Sequence, residues 1–213
     1  MTEPAPHPFA PPPPPERAQP LEGLALEPLQ RRFGAVPVLG AYALVNGLIS
    51  IAVMTAAALV TGVPLVFPSL GPTAYLLFSD PLGAAAAPRN TILGHVIGVL
   101  AGWGSLAVFG LQDVGAADAM GATPGRIGAA AVSLAVTSGL MVWLRLPHPP
   151  AAATTLIVSL GILPRVDELV VLVLAVILLA AQGWIINRLA GVPVPLWSPR
   201  REPLVVRPGG MSG

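Results

Sequence analysis

Two segments that start with proline, Leu70-Gly71-Pro72-Thr73-Ala74 and His148-Pro149-Pro150-Ala151-Ala152, interrupt otherwise apolar sequence and limit the folds open to this chain. An α-helix tolerates proline only in its first turn, so each segment marks a place where a new helix begins. Backbone polar groups at bilayer depth must be satisfied by protein or line a cavity, because lipid offers them no partner. A helix that begins there turns its first N–H groups toward a small enclosed space, and such a space suits an anion.

Around these segments lie four stretches long and apolar enough to cross a hydrocarbon core about 30 Å thick. They run from Ala35 to Thr61, Thr91 to Leu111, Ile127 to Leu144 and Leu169 to Ile186. With 54% apolar and 10% charged residues among 213, and a mean hydropathy of +0.76, the composition belongs in a bilayer. The expected fold is an all-α polytopic membrane protein over residues 33–190. It consists of two repeats of transmembrane helix, proline-started half helix and transmembrane helix, with four full spans plus two half helices.

Between the first two spans, Val63-Pro64-Leu65-Val66-Phe67-Pro68 cannot be helical throughout, because each proline removes a donor and biases its predecessor toward extended geometry. Helix begins near Pro72 and runs about two turns, roughly 13 Å, before Pro81 ends it. Pro149 and Pro150 start a similar piece through Leu160, stopped by Gly161 and Pro164. Laying Pro72 over Pro150, an offset of 78 residues, also carries Gly83 onto Gly161 and Thr91 onto Leu169. That shift is the mark of an internal repeat.

Residues 1–32, with the run Pro11 to Pro15, read as a disordered proline-rich tail and not as a cleaved signal peptide. Residues 191–213 read as a second disordered tail. Short cytoplasmic loops collect arginine, and every basic residue here is Arg. Four crossings would put Arg89, Arg145 and Arg165 opposite Arg31 and Arg32. Six crossings in two inverted units put only Arg126 and Arg165 there, which fits the rule better. Both counts leave both termini cytoplasmic, and the expected location is a bacterial inner membrane.

A net charge of +1 argues against a nucleic-acid partner. Cysteine is absent, which removes disulfides, thiolate metal sites and a thiol nucleophile. The chain shows neither paired intramembrane aspartates nor His-Glu-x-x-His, so no enzyme activity and no cofactor or metal is expected. Asp80, Asp113, Asp118, Asp167 and Glu168 all fall at segment ends, leaving no central carboxylate for a cation.

The expected substrate-binding residues are Gly71, Thr73, Ala74, His95, His148, Ala151, Ala152 and Thr154. The amides of Gly71, Thr73, Ala74, Ala151, Ala152 and Ala153 are the expected donors, with hydroxyls from Ser69, Thr73 and Thr154. His148 precedes the second half helix, where its imidazole can cap the helix, donate to an anion or carry a proton. His95 lies inside a span, where an ionisable group is costly. Arg89, Asn90 and Arg145 are candidates for gating or entry. Gly94, Gly98 and Gly102, spaced by four, let another helix approach closely and leave room for a homo-oligomer. Asn46 reads as glue between helices.

Over about Val36 to Leu189 the chain resembles the HPP family of integral membrane proteins, whose signature tripeptide stands here as His148-Pro149-Pro150. Leu70 to Phe78 is similar to the family's Gly-rich segment leading into Ala-Val-Leu-Leu-Phe, and Pro88-Arg89-Asn90 with Gly94-His95 to its Pro-Arg-Asn and Gly-His pairs. Pro72-Thr73 stands where Ala-Ser is more familiar, and Ala151-Ala152 replaces Gly-Gly. The resemblance implies transport of a small inorganic anion, nitrite for some plant and cyanobacterial members. Neither tail has room for the CBS pair that some relatives carry. The alternatives are a non-transporting scaffold that engages protein partners, and a cation pathway.

Overall fold

The computed structural model describes residues 26–199, and all regular structure among them is helical. The elements in order are α1 (Leu26–Phe33), α2 (Ala35–Thr61), α3 (Leu70–Ser79), a 3₁₀ turn (Ala84–Ala86), α4 (Pro88–Val108), α5 (Ala117–Met120), α6 (Pro124–Trp143), α7 (Ala151–Ser159) and α8 (Val166–Leu189). Helices α2, α4, α6 and α8 are long and apolar enough to cross a membrane. The short helices α3 and α7 occupy the places of the expected half helices.

Local chemistry sets the ends. α4 and α6 begin at Pro88 and Pro124, where a missing N–H costs nothing, and the Thr123 hydroxyl accepts from the Arg126 amide at the start of α6. α8 begins with Asp167 and Glu168 in its first turn, and Glu168 accepts from the Arg165 amide at 3.1 Å. α2 ends at Gly62, whose φ of 69° closes a left-handed cap. These caps precede the apolar runs, which is why α4, α6 and α8 start at Pro88, Pro124 and Val166 and not at Thr91, Ile127 and Leu169.

The packing follows the repeat. α3 lies against α2 of its own unit and α8 of the other, while α7 lies against α6 of its own unit and α4 of the other. Glycines allow both cross-unit contacts. A Cβ at Gly98 would stand 2.7 Å from the Ala151 carbonyl oxygen, one at Gly102 2.8 Å from Val158 Cβ, and one at Gly183 2.8 Å from Leu77 Cδ1. The glycine stripe of α4 is therefore occupied by α7 of the same chain, and it offers no ground for a homo-oligomer.

Backbone contacts sort the helix ends onto two faces. Leu26 N donates to Ala190 O at 3.3 Å and Arg89 N to Trp197 O at 3.0 Å, so the starts of α2 and α4 share a face with the end of α8. On the opposite face the Arg126 guanidinium, at the start of α6, reaches Val114 O beyond the end of α4, and Ala117 N donates to Leu160 O at the end of α7. The chain thus passes between the faces six times, and its two units run in inverted senses. Arg31, Arg32, Arg89, Arg145 and Arg188 belong to the terminal face, whereas Arg126 and Arg165 share the opposite one with Asp113, Asp118, Asp167 and Glu168.

The core centres on α3, where Leu70, Leu77 and Phe78 pack with Met54 of α2 and Leu172 and Leu179 of α8. At the end of α3, Asn187 donates to Leu77 O at 2.8 Å and accepts from the Tyr42 hydroxyl at 2.8 Å. Asn187→Leu leaves the buried Leu77 carbonyl and the half-buried Tyr42 hydroxyl without a mate and is expected to cost about 2 kcal/mol, against about 1 kcal/mol for Tyr42→Phe. Thermal unfolding in detergent checks the order of the two. Asn46, in contrast, donates to Tyr42 O in its own helix and does not join helices.

Of the expected proline-rich tail, residues 1–25 lie outside the described residues, but Leu26–Phe33 is helical and packs on the start of α2. Its eight residues include no long apolar run, which is why length and hydropathy alone do not reveal it. Residues 200–213 of the second expected tail also lie outside the described residues. Residues 191–199 strap back onto the bundle: Val194 is buried, Pro195 O accepts from Trp184 Nε1 at 3.1 Å, and Trp197 O accepts from Arg89.

Candidate functional site

His95 stands about two turns into α4, and Gly94 beside it leaves space for His148. A Cβ at Gly94 would lie 2.9 Å from His148 Cβ. The two Nε2 atoms are 3.2 Å apart and both rings are buried. Thr73, in the first turn of α3, brings its hydroxyl to 2.9 Å from His95 Nε2 and 3.4 Å from His148 Nε2. Thr154 of α7 lies 2.6 Å from His95 Nδ1. Residues from three helices and the bend before α7 thus form one buried polar cluster. The first turn of α3 and the approach to α7 converge on it.

The acceptors fix where the hydrogens go. Ala85 O, 2.7 Å from His148 Nδ1, can only accept, so that nitrogen carries hydrogen and His148 Nε2 of the neutral ring is left with a lone pair. His95 Nε2 then carries the hydrogen between the rings, and His95 Nδ1 accepts from the Thr154 hydroxyl. The Thr73 hydroxyl donates to Ser69 O at 3.0 Å and accepts from His95. Every polar atom of the four side chains has a partner in the uncharged state.

Thr73, His95, His148 and Thr154 come together as a site, while the other expected residues have different places. Gly71 is exposed, and Ala74 is buried in the apolar core around α3. Ala151 is fully buried where α7 crosses Gly98. The amides of Ala151, Ala152 and Ala153 are not free donors: they bond to the carbonyls of His148, Pro149 and Pro150 at 3.0, 3.0 and 3.1 Å. The two prolines occupy positions where unpaired N–H groups would stand, and the chain tightens into a turn that satisfies the next three amides. At this end the available donors are imidazole and hydroxyl groups, although the positive end of α7 still points at His148.

Asn90 is fully buried and donates to Ala84 O at 2.8 Å, which holds the 3₁₀ turn that presents Ala85 O to His148. It braces the site. Arg89 is tied to the C-terminal strap through its backbone. Arg145 is exposed, with a left-handed φ of 54°, and lines an open groove of about 590 Å³ together with Ser138, Met141, His148 and Ala152. The groove places a cation on an approach to His148.

Arg126, read from sequence only as a marker of topology, is the largest fully buried side chain among the described residues. Its guanidinium donates to Val114 O at 2.6 Å and Gly115 O at 2.8 Å, and reaches Leu111 O at 3.4 Å and Ser159 O at 3.5 Å. A cation in the first turn of a helix opposes the dipole, and that mismatch is the sequence signal that this arginine serves another element. Thr137 and Thr155, 2.8 Å apart, tie α6 to α7, and their place beside the site has no counterpart among the expected residues.

A family model described as HPP, transmembrane region, matches residues 36–195. No curated protein and no solved structure matches the chain.

Proposed function

The chain belongs to the HPP family of transmembrane proteins, and on that premise we propose that it transports a small inorganic anion, nitrite by family resemblance, through the His95–His148 cluster. The observation that carries this reading is the convergence of α3 and α7 on two buried histidines that an arginine-lined groove approaches. The positive ends of both helix dipoles face the cluster and, with the first amides of α7 already bonded, favour an anion by less than about 1 kcal/mol per helix. In the uncharged cluster the His95 Nε2 hydrogen, shared between His148 Nε2 and the Thr73 hydroxyl, is the donor that an anion can take over, and among the described residues no hydrogen bond of the cluster goes to a carboxylate. Two inverted units around a central site also suit alternating access. The arginines of the terminal face favour cytoplasmic termini, in keeping with a bacterial inner membrane.

Purified protein in sealed liposomes is expected to give saturable nitrite uptake. His148→Ala removes one ring of the pair and opens the packing against Gly94, and is expected to slow uptake about tenfold, a loss near 1.4 kcal/mol. Flux of nitrite, nitrate and formate no greater than in protein-free liposomes would reject the reading.

A further inference from the structure

The geometry of the histidine pair points to a second cargo: we infer that His95 and His148 take up one proton with each anion, so that transport is a one-to-one proton–anion symport. This inference rests on the anion reading above and adds the coupling ion to it. In the uncharged cluster His148 Nδ1 is committed to Ala85 O and His95 Nδ1 to Thr154, so the incoming proton goes to the lone pair of His148 Nε2. No covalent bond to the anion forms. The His95 Nε2 hydrogen, until then shared between His148 Nε2 and the Thr73 hydroxyl, is left to Thr73 alone at 2.9 Å, because two N–H groups facing each other across 3.2 Å repel. A second proton would have to displace the Thr154 hydroxyl from His95 Nδ1 and set two imidazolium rings side by side, which limits the pair to one extra charge.

A lone cation in this buried place is costly, and an anion beside it removes most of the cost. Proton and anion therefore favour each other's binding by the same factor. The surroundings offer no other counter-charge in contact. α3 presents Thr73 and holds its carboxylate, Asp80, at its far end over Gly83; the 3₁₀ turn presents only Ala85 O. α7 presents Thr154 and Thr155, while the bend after α6 brings the cation Arg145 to the groove. α2 contributes no charged residue, and the charged residues of α4 and α8 stand at their ends, as Arg89, Asp167, Glu168 and Arg188.

Two buried hydroxyls stand one helical turn from residues of the cluster. Thr91 Oγ1 and Ser69 Oγ are buried with no hydrogen-bond partner among the described residues. Thr91 precedes His95 by one turn of α4, which begins at the terminal face. Ser69 precedes Thr73 by one turn on the side from which α3 enters, and the Thr73 hydroxyl already bonds its carbonyl. Their oxygens are free to accept a hydrogen one turn before Thr73 and one turn before His95.

Liposomes carrying the full chain and a trapped pH dye, with voltage clamped by potassium and valinomycin, test the inference. The probes are nitrite, corrected for protein-free liposomes, and nitrate, whose acid is too strong to cross undissociated. The expected result is lumen acidification at one proton per anion, with uptake rising about tenfold as external pH falls from about 7.5 to about 5.5. His148→Gln and His95→Gln, checked for folding by thermal unfolding, are expected to lose both the acidification and the pH dependence. Anion flux without acidification and indifferent to pH in the unsubstituted protein would overturn proton coupling and leave the anion reading standing. Absence of any anion flux would reject the transport reading and this inference with it. Should the variants fail to fold, the stoichiometry of the unsubstituted protein decides.

Discussion

Arg126→Met is expected to destabilise the protein by about 3 kcal/mol, seen as a lower thermal midpoint in detergent and a lower yield of folded protein. Arg126 is 1% exposed, and its guanidinium joins the loop at Leu111, Val114 and Gly115 to the C-terminal end of α7 at Ser159. Two effects oppose each other. Removing a buried cation with no carboxylate partner relieves its desolvation, whereas the carbonyls it serves lose a charged donor, at about 1–3 kcal/mol for each that stays buried. The bonds to Val114 and Gly115 are short, and Ser159 O belongs to the negative end of the α7 dipole, so the loss outweighs the relief. Arg126→Lys is expected to recover less than half, because a compact ammonium cannot reach carbonyls on several sides at once. A Met variant as stable as the unsubstituted protein would show that desolvation wins and that α7 is held from its other end alone.

That experiment concerns a feature that cannot be read from the amino-acid order. Spans are legible because apolar length is a local property, and α2 runs over the expected residues, Ala35–Thr61. The starts of α4, α6 and α8 are less so, because Pro88, Pro124 and the Asp167–Glu168 pair make helix without being part of an apolar run. His95, His148, Thr73 and Thr154 can be picked out because polar side chains among apolar neighbours need partners. Their mutual bonding still depends on a crossing of α4 and α7 that only the glycines hint at. The engagement of the Ala151, Ala152 and Ala153 amides depends on how tightly the chain turns at Pro149 and Pro150, which residue types leave open. Burial of Arg126 depends on a loop folding around it from the preceding unit.

The crossing of α4 and α7 carries the other large prediction. Gly98→Val is expected to reduce the proposed anion flux by about a hundredfold, a loss that misplacement of site groups by about 1 Å can produce. A Cβ at Gly98 would meet the Ala151 carbonyl oxygen at 2.7 Å, Thr155 Oγ1 at 2.9 Å and Thr155 N at 3.4 Å. Two of these atoms are backbone, so α7 must shift as a body and carry Thr154 with it. His95 Nδ1 and Thr154 Oγ1 are now 2.6 Å apart, and a displacement of about 1 Å breaks their hydrogen bond and frees the His95 ring to turn. Gly104→Val is the matched control on the same helix: it introduces the same β-branched residue where no atom lies within 4 Å. Flux in that variant is expected to stay within about twofold, since only helix propensity changes. Equal losses in the two variants would mean that β-branching in α4, and not the seat of α7 against Gly98, limits transport.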